Sequence, residues 1–350
     1  MLVAYECRLA GASVTLIEKN WVGQESSWAG GGILLPIYPW RQAEAITQLV
    51  IQSHKIYPEL IAQLQAKSGI DPEFIQSGML ICQNPDFNDA IVWCQQNGIA
   101  YESPSEELLG SVCAEMQQPL WLPEIRQARN PRLLKAVHAT LKVMGVKIIE
   151  QCEVQAFEIT NSRLQSVLTS QGRLPVDELV LAAGAWAGEF WQQYFNLGSP
   201  CEVQVAPVKG EMLLYAAKPE ALNTMVLDHG RYLIPRADGH ILVGSTVEYA
   251  GFDKSLNSQT HSELSQFATR ILPDLASFPV VKHWAGLRPG TDLGIPYIAR
   301  HPEISNLSVN AGHFRNGLTM APAAAQLTLD LILKRKTAIA LQPYQLESVH

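Results

Sequence analysis

Ser13-Val14-Thr15-Leu16-Ile17-Glu18, followed at a short distance by Ser26-Ser27-Trp28-Ala29-Gly30-Gly31-Gly32, is the stretch on which the fold turns. A β-branched, apolar run closed by an acid predicts a buried parallel strand with a carboxylate at its C-terminal end. In a doubly wound α/β sheet, a carboxylate there hydrogen-bonds the ribose hydroxyls of an adenine dinucleotide. An ordinary strand-end Glu in water is the other reading of the same residues. The three consecutive glycines free the backbone from Cβ sterics and let N–H groups approach a ligand, with two Ser hydroxyls upstream as added donors. A flexible turn is the alternative there. Leu2 to Ala10 predicts a helix that feeds the strand and stops at Gly11. In a dinucleotide fold such a helix follows a first strand and a G-x-G-x-x-G turn. The chain opens inside the helix, so Met1 is read as an internal start of a longer natural chain.

Outward from this stretch, Ala43 to Lys67 has apolar residues at helical spacing with Pro58 inside, and Ser77–Cys82 reads as a strand. Asp86–Asn97 reads as a helix closed by Gly98, and Pro119–Pro123 as an extended segment. Asn130-Pro131 predicts a helix start with Asn as N-cap, running to Met144. Val146–Ile149, Val154–Ile159 and Leu164–Thr169 predict a meander of short strands. Glu178–Leu181 is a strand that runs into Ala182-Ala183-Gly184-Ala185-Trp186, small residues that permit close contact with a cofactor or simply a crowded strand–helix crossing. From Gln204 to Glu248 the pattern is β, with Asp238-Gly239 as a type I′ hairpin signal. Ser258–Leu272 is a helix and Val280–Gly290 a strand carrying Arg288 near its end. Leu307–Ala311 leads through Gly312–Gly317 into a final helix, and the last residues read as a tail.

The 350 residues are 47% apolar and 17% charged, enough for a substantial core, and the formal charge of −7 disfavours nucleic acid or an anionic membrane as main partner. No apolar run reaches the ~20 residues that span a bilayer, and no secretory signal is visible. The six Cys form no C-x-x-C and, with the nine His, no metal-ligand spacing. The expectation is a cytoplasmic protein with reduced cysteines and no metal site.

A strand-end acid, a glycine turn, a strand into Ala-Ala-Gly-Ala-Trp and a late glycine turn before a helix form one site only if a β-rich domain interrupts a dinucleotide fold. In this order, and with Tyr232-Leu233-Ile234-Pro235-Arg236, Val243-Gly244-Ser245-Thr246 and Trp284–Thr291, the chain resembles the D-amino acid oxidase superfamily of flavoproteins, and within it the thiamine-pathway glycine oxidase branch. The resemblance implies an α/β fold: a doubly wound FAD-binding domain of residues 1–66, 126–202 and 286–338, a β-rich substrate domain of 67–125 and 203–285, and a tail of 339–350. It implies FAD, held noncovalently because Leu287 to Arg300 contains no Cys. Glu18 would meet the ribose. Ser26, Ser27, Gly30, Gly31 and Gly32 would lie along pyrophosphate and flavin. Val154 would meet the adenine, with Ala183 and Gly184 beneath the cofactor. Gly312, His313, Arg315, Asn316, Gly317, Leu318 and Thr319 would face the flavin's electron-rich edge, where a helix N-terminus favours negative charge.

The resemblance further implies a small amino acid substrate, its carboxylate clamped by Arg288 with Tyr232 donating to it and Arg315 nearby. Taken alone, Arg288 reads as an ion-pair residue and Tyr232 as a strand aromatic. Hydride transfer to flavin without a protein acid or base follows, with dioxygen as reoxidant and hydrogen peroxide as product, supplying imine for thiazole synthesis in a homo-oligomeric enzyme. Three alternatives stand beside this: a D-amino acid dehydrogenase passing electrons to a quinone, a tRNA-modifying flavoprotein, and a truncated, cofactor-poor homologue that binds a partner protein.

Overall fold

The computed structural model describes residues 1–196, 201–348 and 350. Residues 197–200, within the expected FAD domain, and Val349 of the expected tail lie outside the described residues.

Two small parallel pairings carry the α/β part. Thr15–Ile17 runs parallel to Lys147–Ile149, with Leu16 opposite Ile148. Leu179–Leu181 runs parallel to Leu307–Ala311, whose far edge carries Tyr297–Arg300 antiparallel. The Thr15–Ile17 strand is half-exposed rather than buried, because it pairs on one side only and its other edge faces a cleft. Lys147–Ile149 thus leaves the expected meander, which consists instead of Val154–Thr160, Arg163–Thr169 and Gly172–Pro175. Asn161 and Ser162, at φ of 50° and 54°, make the first turn of that meander.

A seven-stranded sheet carries the β-rich part. Its order is Val280–Gly290, Ala206–Ala216, His240–Gly244, Arg231–Pro235, Met225–Asp228, Met79–Ile81 and Leu120–Leu122. Met225–Asp228 and Tyr297–Arg300 escape a pattern reading because both are short runs without alternation. The expected type I′ turn is not formed. Only Gly239 has positive φ, and Arg236 N–H donates to the His240 carbonyl. That makes a three-residue loop with the glycine in the left-handed position.

The long helix Glu44–Ser68 packs on the final helix Gly317–Leu333. Pro322 lacks an N–H and so orphans the Leu318 carbonyl one turn back; the Tyr57 hydroxyl donates to it. Asn130 is the first residue of its helix, not the N-cap, which is Arg129; its side chain reaches elsewhere. The C-terminus is not a loose tail. Tyr344 is buried, its hydroxyl donates to the Ala45 carbonyl at 2.7 Å, and Gln345 Nε2 donates to the Ile298 carbonyl at 2.9 Å. No helix among the described residues is long and apolar enough to cross a membrane.

Candidate active site

A cleft of about 1870 Å³ runs between the parallel pairings and along one face of the seven-stranded sheet. Every residue singled out from sequence lines it except Thr319. Thr319 lies buried in the first turn of the final helix, its hydroxyl without a partner among the described residues, so its side chain faces the core and only its backbone can serve the cleft.

At one end the strand Thr15–Ile17 delivers Glu18. Its backbone is tied to Ile149 and Cys152, and its carboxylate accepts the Asn20 N–H at 2.9 Å. Val154 lines the same end at the start of its strand.

Ser26 and Ser27 open a one-turn helix, Ser26–Ala29. The glycines beyond it are clamped from several sides. Asn130 Nδ2 donates to the Ser27 carbonyl at 2.7 Å, Trp284 Nε1 to the Ala29 carbonyl at 3.1 Å and Arg236 Nη2 to the Gly31 carbonyl at 2.7 Å. The Ala128 N–H takes the Gly32 carbonyl at 2.9 Å. Gly32 has φ of +88°, and a Cβ there would strike the Ala128 carbonyl, so only glycine fits. Removal from water, with the charge of Arg129 adding to it, pulls the Arg236 guanidinium down to about 10, still charged at neutral pH.

Ala183 and Gly184 form the turn after the Leu179–Leu181 strand, and no described residue lies within 4 Å of the open side of Gly184. Across the cleft, Gly312 and the short turn Phe314–Asn316 lead into the final helix, whose first N–H groups have no intrahelical acceptor. His313 stands at this turn. Removal from water pushes its imidazole down to about 4, so it is neutral at physiological pH.

At the other end Arg288 lies over Gly210, which has no side chain to obstruct it. Its Nη1 donates to the Lys209 carbonyl at 3.2 Å and the Thr246 carbonyl at 3.0 Å; its Nη2 donates to Ser245 Oγ at 2.8 Å. A guanidinium has five N–H groups. These three bonds leave Nε–H and one Nη2 hydrogen, on adjacent nitrogens, without a partner among the described residues. That pair is what a carboxylate needs for a two-bond grip. Burial holds the Arg288 pKa below its ordinary value; Tyr232 and Glu248 counter this, and Arg315 adds to it. Tyr232 is buried, its ring against Gly31 and Gly244, and no described residue hydrogen-bonds its hydroxyl. Arg315 is solvent-exposed and lines the cleft near Arg288.

The site thus joins a strand-end acid, a clamped glycine turn, a helix N-terminus and two guanidiniums. The supports of this arrangement escaped the sequence reading: Gly210, Ser245, Thr246, Asn130 and Arg236 in its clamping role. Gly210 carried a local signal, since a glycine inside a strand marks a close approach, while Ser245, Thr246 and Arg236 lie in stretches that carry the family resemblance without a site role of their own.

A family model described as DAO, FAD dependent oxidoreductase, matches residues 1–331. A glycine oxidase of Pseudomonas aeruginosa is 42% identical over 349 residues, covering 98% of this chain and 94% of that one. A bifunctional protein ThiO/ThiG of Synechocystis is 30% identical over 336 residues, 93% of this chain and 48% of that protein. Among solved structures, a glycine oxidase of Geobacillus kaustophilus superposes with a TM-score of 0.90 at 26% identity, over 99% of this chain and 94% of that one.

Proposed function

This chain belongs to the DAO family of FAD-dependent oxidoreductases, and we propose that it oxidises glycine or another small amino acid at its α-carbon. The observation that carries the substrate class is the open N–H pair of Arg288 beside the unpartnered Tyr232 hydroxyl. FAD, when bound, supplies the two-electron acceptor for the substrate's α-hydrogen, and dioxygen is the final acceptor we propose, yielding hydrogen peroxide.

The residues present fit that cofactor. Glu18 offers an acid for the ribose, with Val154 beside it for the adenine. Ser26, Ser27 and Gly30–Gly32 would follow the pyrophosphate and flavin, and the open side of Gly184 with Ala183 suits a flat group. Within residues 312–319, the first N–H groups of the final helix, from Gly317 on, would meet the anionic edge. The domain division set out from sequence is the reading we adopt, the cleft lying between the parallel pairings and the large sheet.

In the mechanism we propose, Arg288 binds the substrate carboxylate by two N–H···O bonds, and Tyr232 donates to the same group. The charge of Arg315 in the same cleft would favour the substrate's neutral amine over ammonium, the form that can lose hydride. The amino acid gives up its α-hydrogen with two electrons and then a nitrogen proton, leaving as the imine. No protein group must accept a proton at carbon, so the chain's work is orientation and charge. A supply of imine to thiazole synthesis accords with the ThiO/ThiG relative. We further propose a cytoplasmic homo-oligomer, which light scattering on the purified protein tests for assembly.

The deciding experiment is a visible spectrum of purified protein followed by anaerobic glycine. A flavin spectrum that bleaches supports the proposal; a flavin that no small amino acid bleaches overturns it.

A further inference from the structure

Behind Arg288 lies a buried charge cluster whose side chains do not line the cleft. Lys209 and Glu211 flank Gly210 on the strand Ala206–Ala216, so alternation turns them to the face opposite Arg288. Lys209 is 4% exposed and Glu211 fully buried. Lys209 Nζ lies 2.8 Å from Glu211 Oε1 and 3.4 Å from Glu248 Oε2. His283 Nε2 lies 2.6 Å from Glu211 Oε2, and the Asn257 N–H donates to the same oxygen at 3.3 Å. His261, on the helix Ser258–Ile271 that covers this face, stacks edge-on against His283.

Thr246 joins the two faces. Its hydroxyl accepts the Glu211 N–H at 3.0 Å and donates to Glu248 Oε1 at 2.8 Å, while its carbonyl holds Arg288. The Lys209 and Glu248 backbones exchange two hydrogen bonds of 2.9 Å, and the Lys209 carbonyl also holds Arg288. Both carbonyl acceptors of the guanidinium are therefore anchored by the cluster behind them.

We propose that Lys209, with Glu211 and Glu248, positions Arg288 for carboxylate binding: the buried ion cluster holds the two carbonyls that leave one edge of the guanidinium open. Lys209 is a positioning residue and touches no substrate. Burial disfavours its ammonium, but the hydrogen bond and charge of Glu211, with the charge of Glu248, outweigh this and keep it charged. Arg288 also feels the charge of Glu248 directly. A buried ion pair is a poor stabiliser against an apolar replacement, whereas fixing one arrangement of neighbouring groups is a role such a pair can fill.

The inference rests on the proposed oxidation of small amino acids, and the test separates the two. The readouts are the KM for glycine, the inhibition constant of acetate, and the limiting rate of anaerobic flavin reduction, in wild type and Lys209→Met. We expect KM and the acetate constant to rise together, roughly tenfold, as for a weakened charged hydrogen bond. The limiting rate at saturating glycine stays within about twofold, since a uniformly weakened grip leaves kcat unchanged. Unchanged KM and acetate constants overturn the inference alone. A limiting rate that falls as far as the binding constants overturns it as well, because a general loss of structure then suffices. If Lys209→Met does not fold, Glu248→Gln at the more exposed end of the cluster takes its place. A rise of a few-fold in both constants is then expected, and no rise overturns the inference. Wild type that binds FAD but oxidises no amino acid overturns the functional proposal and this inference with it.

Discussion

Gly210→Ala isolates the carboxylate grip from everything else in the cleft. The backbone at 210 is an ordinary strand, so alanine brings no conformational strain there. The added methyl is the whole perturbation. A Cβ at 210 would fall well inside 3.0 Å of Cζ, Nη1 and Nη2 of Arg288, closer than side-chain carbons approach anything. The guanidinium must then shift by about 1 Å to reach ordinary contact distance. Its bonds to Lys209, Thr246 and Ser245 are 3.2, 3.0 and 2.8 Å, and lengthening by that much takes them past any hydrogen bond. The two open N–H groups turn away from the carboxylate with it. Misplacement on the order of 1 Å costs roughly 10²-fold in catalysis. That equals about 2.7 kcal/mol, the range of one charge-assisted hydrogen bond. The expected result is a kcat/KM for glycine about a hundredfold below wild type, with flavin content near wild type and a lower Tm from the three bonds that Arg288 gives up. Anaerobic flavin bleaching against glycine concentration measures it. A Gly210→Ala protein whose kcat/KM stays within twofold refutes the role given to Arg288.

Tyr232→Phe removes an unpartnered hydroxyl, so stability holds within about 0.5 kcal/mol while KM for glycine rises up to about tenfold; thermal melts and steady-state kinetics check the two halves. Asn130→Ala removes the bond to the Ser27 carbonyl that steadies the glycine turn, and weaker retention of FAD in equilibrium dialysis is expected. His313 has a folded pKa of about 4, below its unfolded value near 6.5. Its share of stability is complete above pH 6.5 and is lost as pH falls toward 4. His313→Asn lacks that loss, so the wild-type and variant unfolding curves diverge between pH 6.5 and 4; parallel curves refute it. Tyr344→Ala empties a fully buried site and deletes the bond to Ala45, a loss of about 3–5 kcal/mol read from denaturant unfolding.

Much of the architecture is local physics and was legible in the chain. The helices Glu44–Ser68 and Ser258–Ile271 carry their apolar stripe at helical spacing, and Gly98 caps its helix in the left-handed conformation that glycine tolerates. The strand Val280–Gly290 has the bounds its sequence predicted. What misled were features whose outcome depends on partners far along the chain. Val146–Ile149 looks like one strand of a meander, yet pairs with Thr15–Ile17 because a parallel partner 132 residues away fits its register. The final residues look like a tail because one buried aromatic, Tyr344, leaves no periodic trace.

The kinds of group in the site are written in the sequence: an acid after a strand, glycines before a turn, an Arg near the end of a strand. Side-chain chemistry and backbone freedom are properties of single residues, which is why they survive being read in one dimension. The availability of those groups is not. That Arg288 keeps two N–H groups open follows from three acceptors at positions 209, 245 and 246, and from the room above Gly210. That the glycine turn is rigid follows from Asn130, Arg236 and Trp284. Donors and acceptors are counted only once the chain has closed on itself, so tertiary structure decides which of them a ligand can still use.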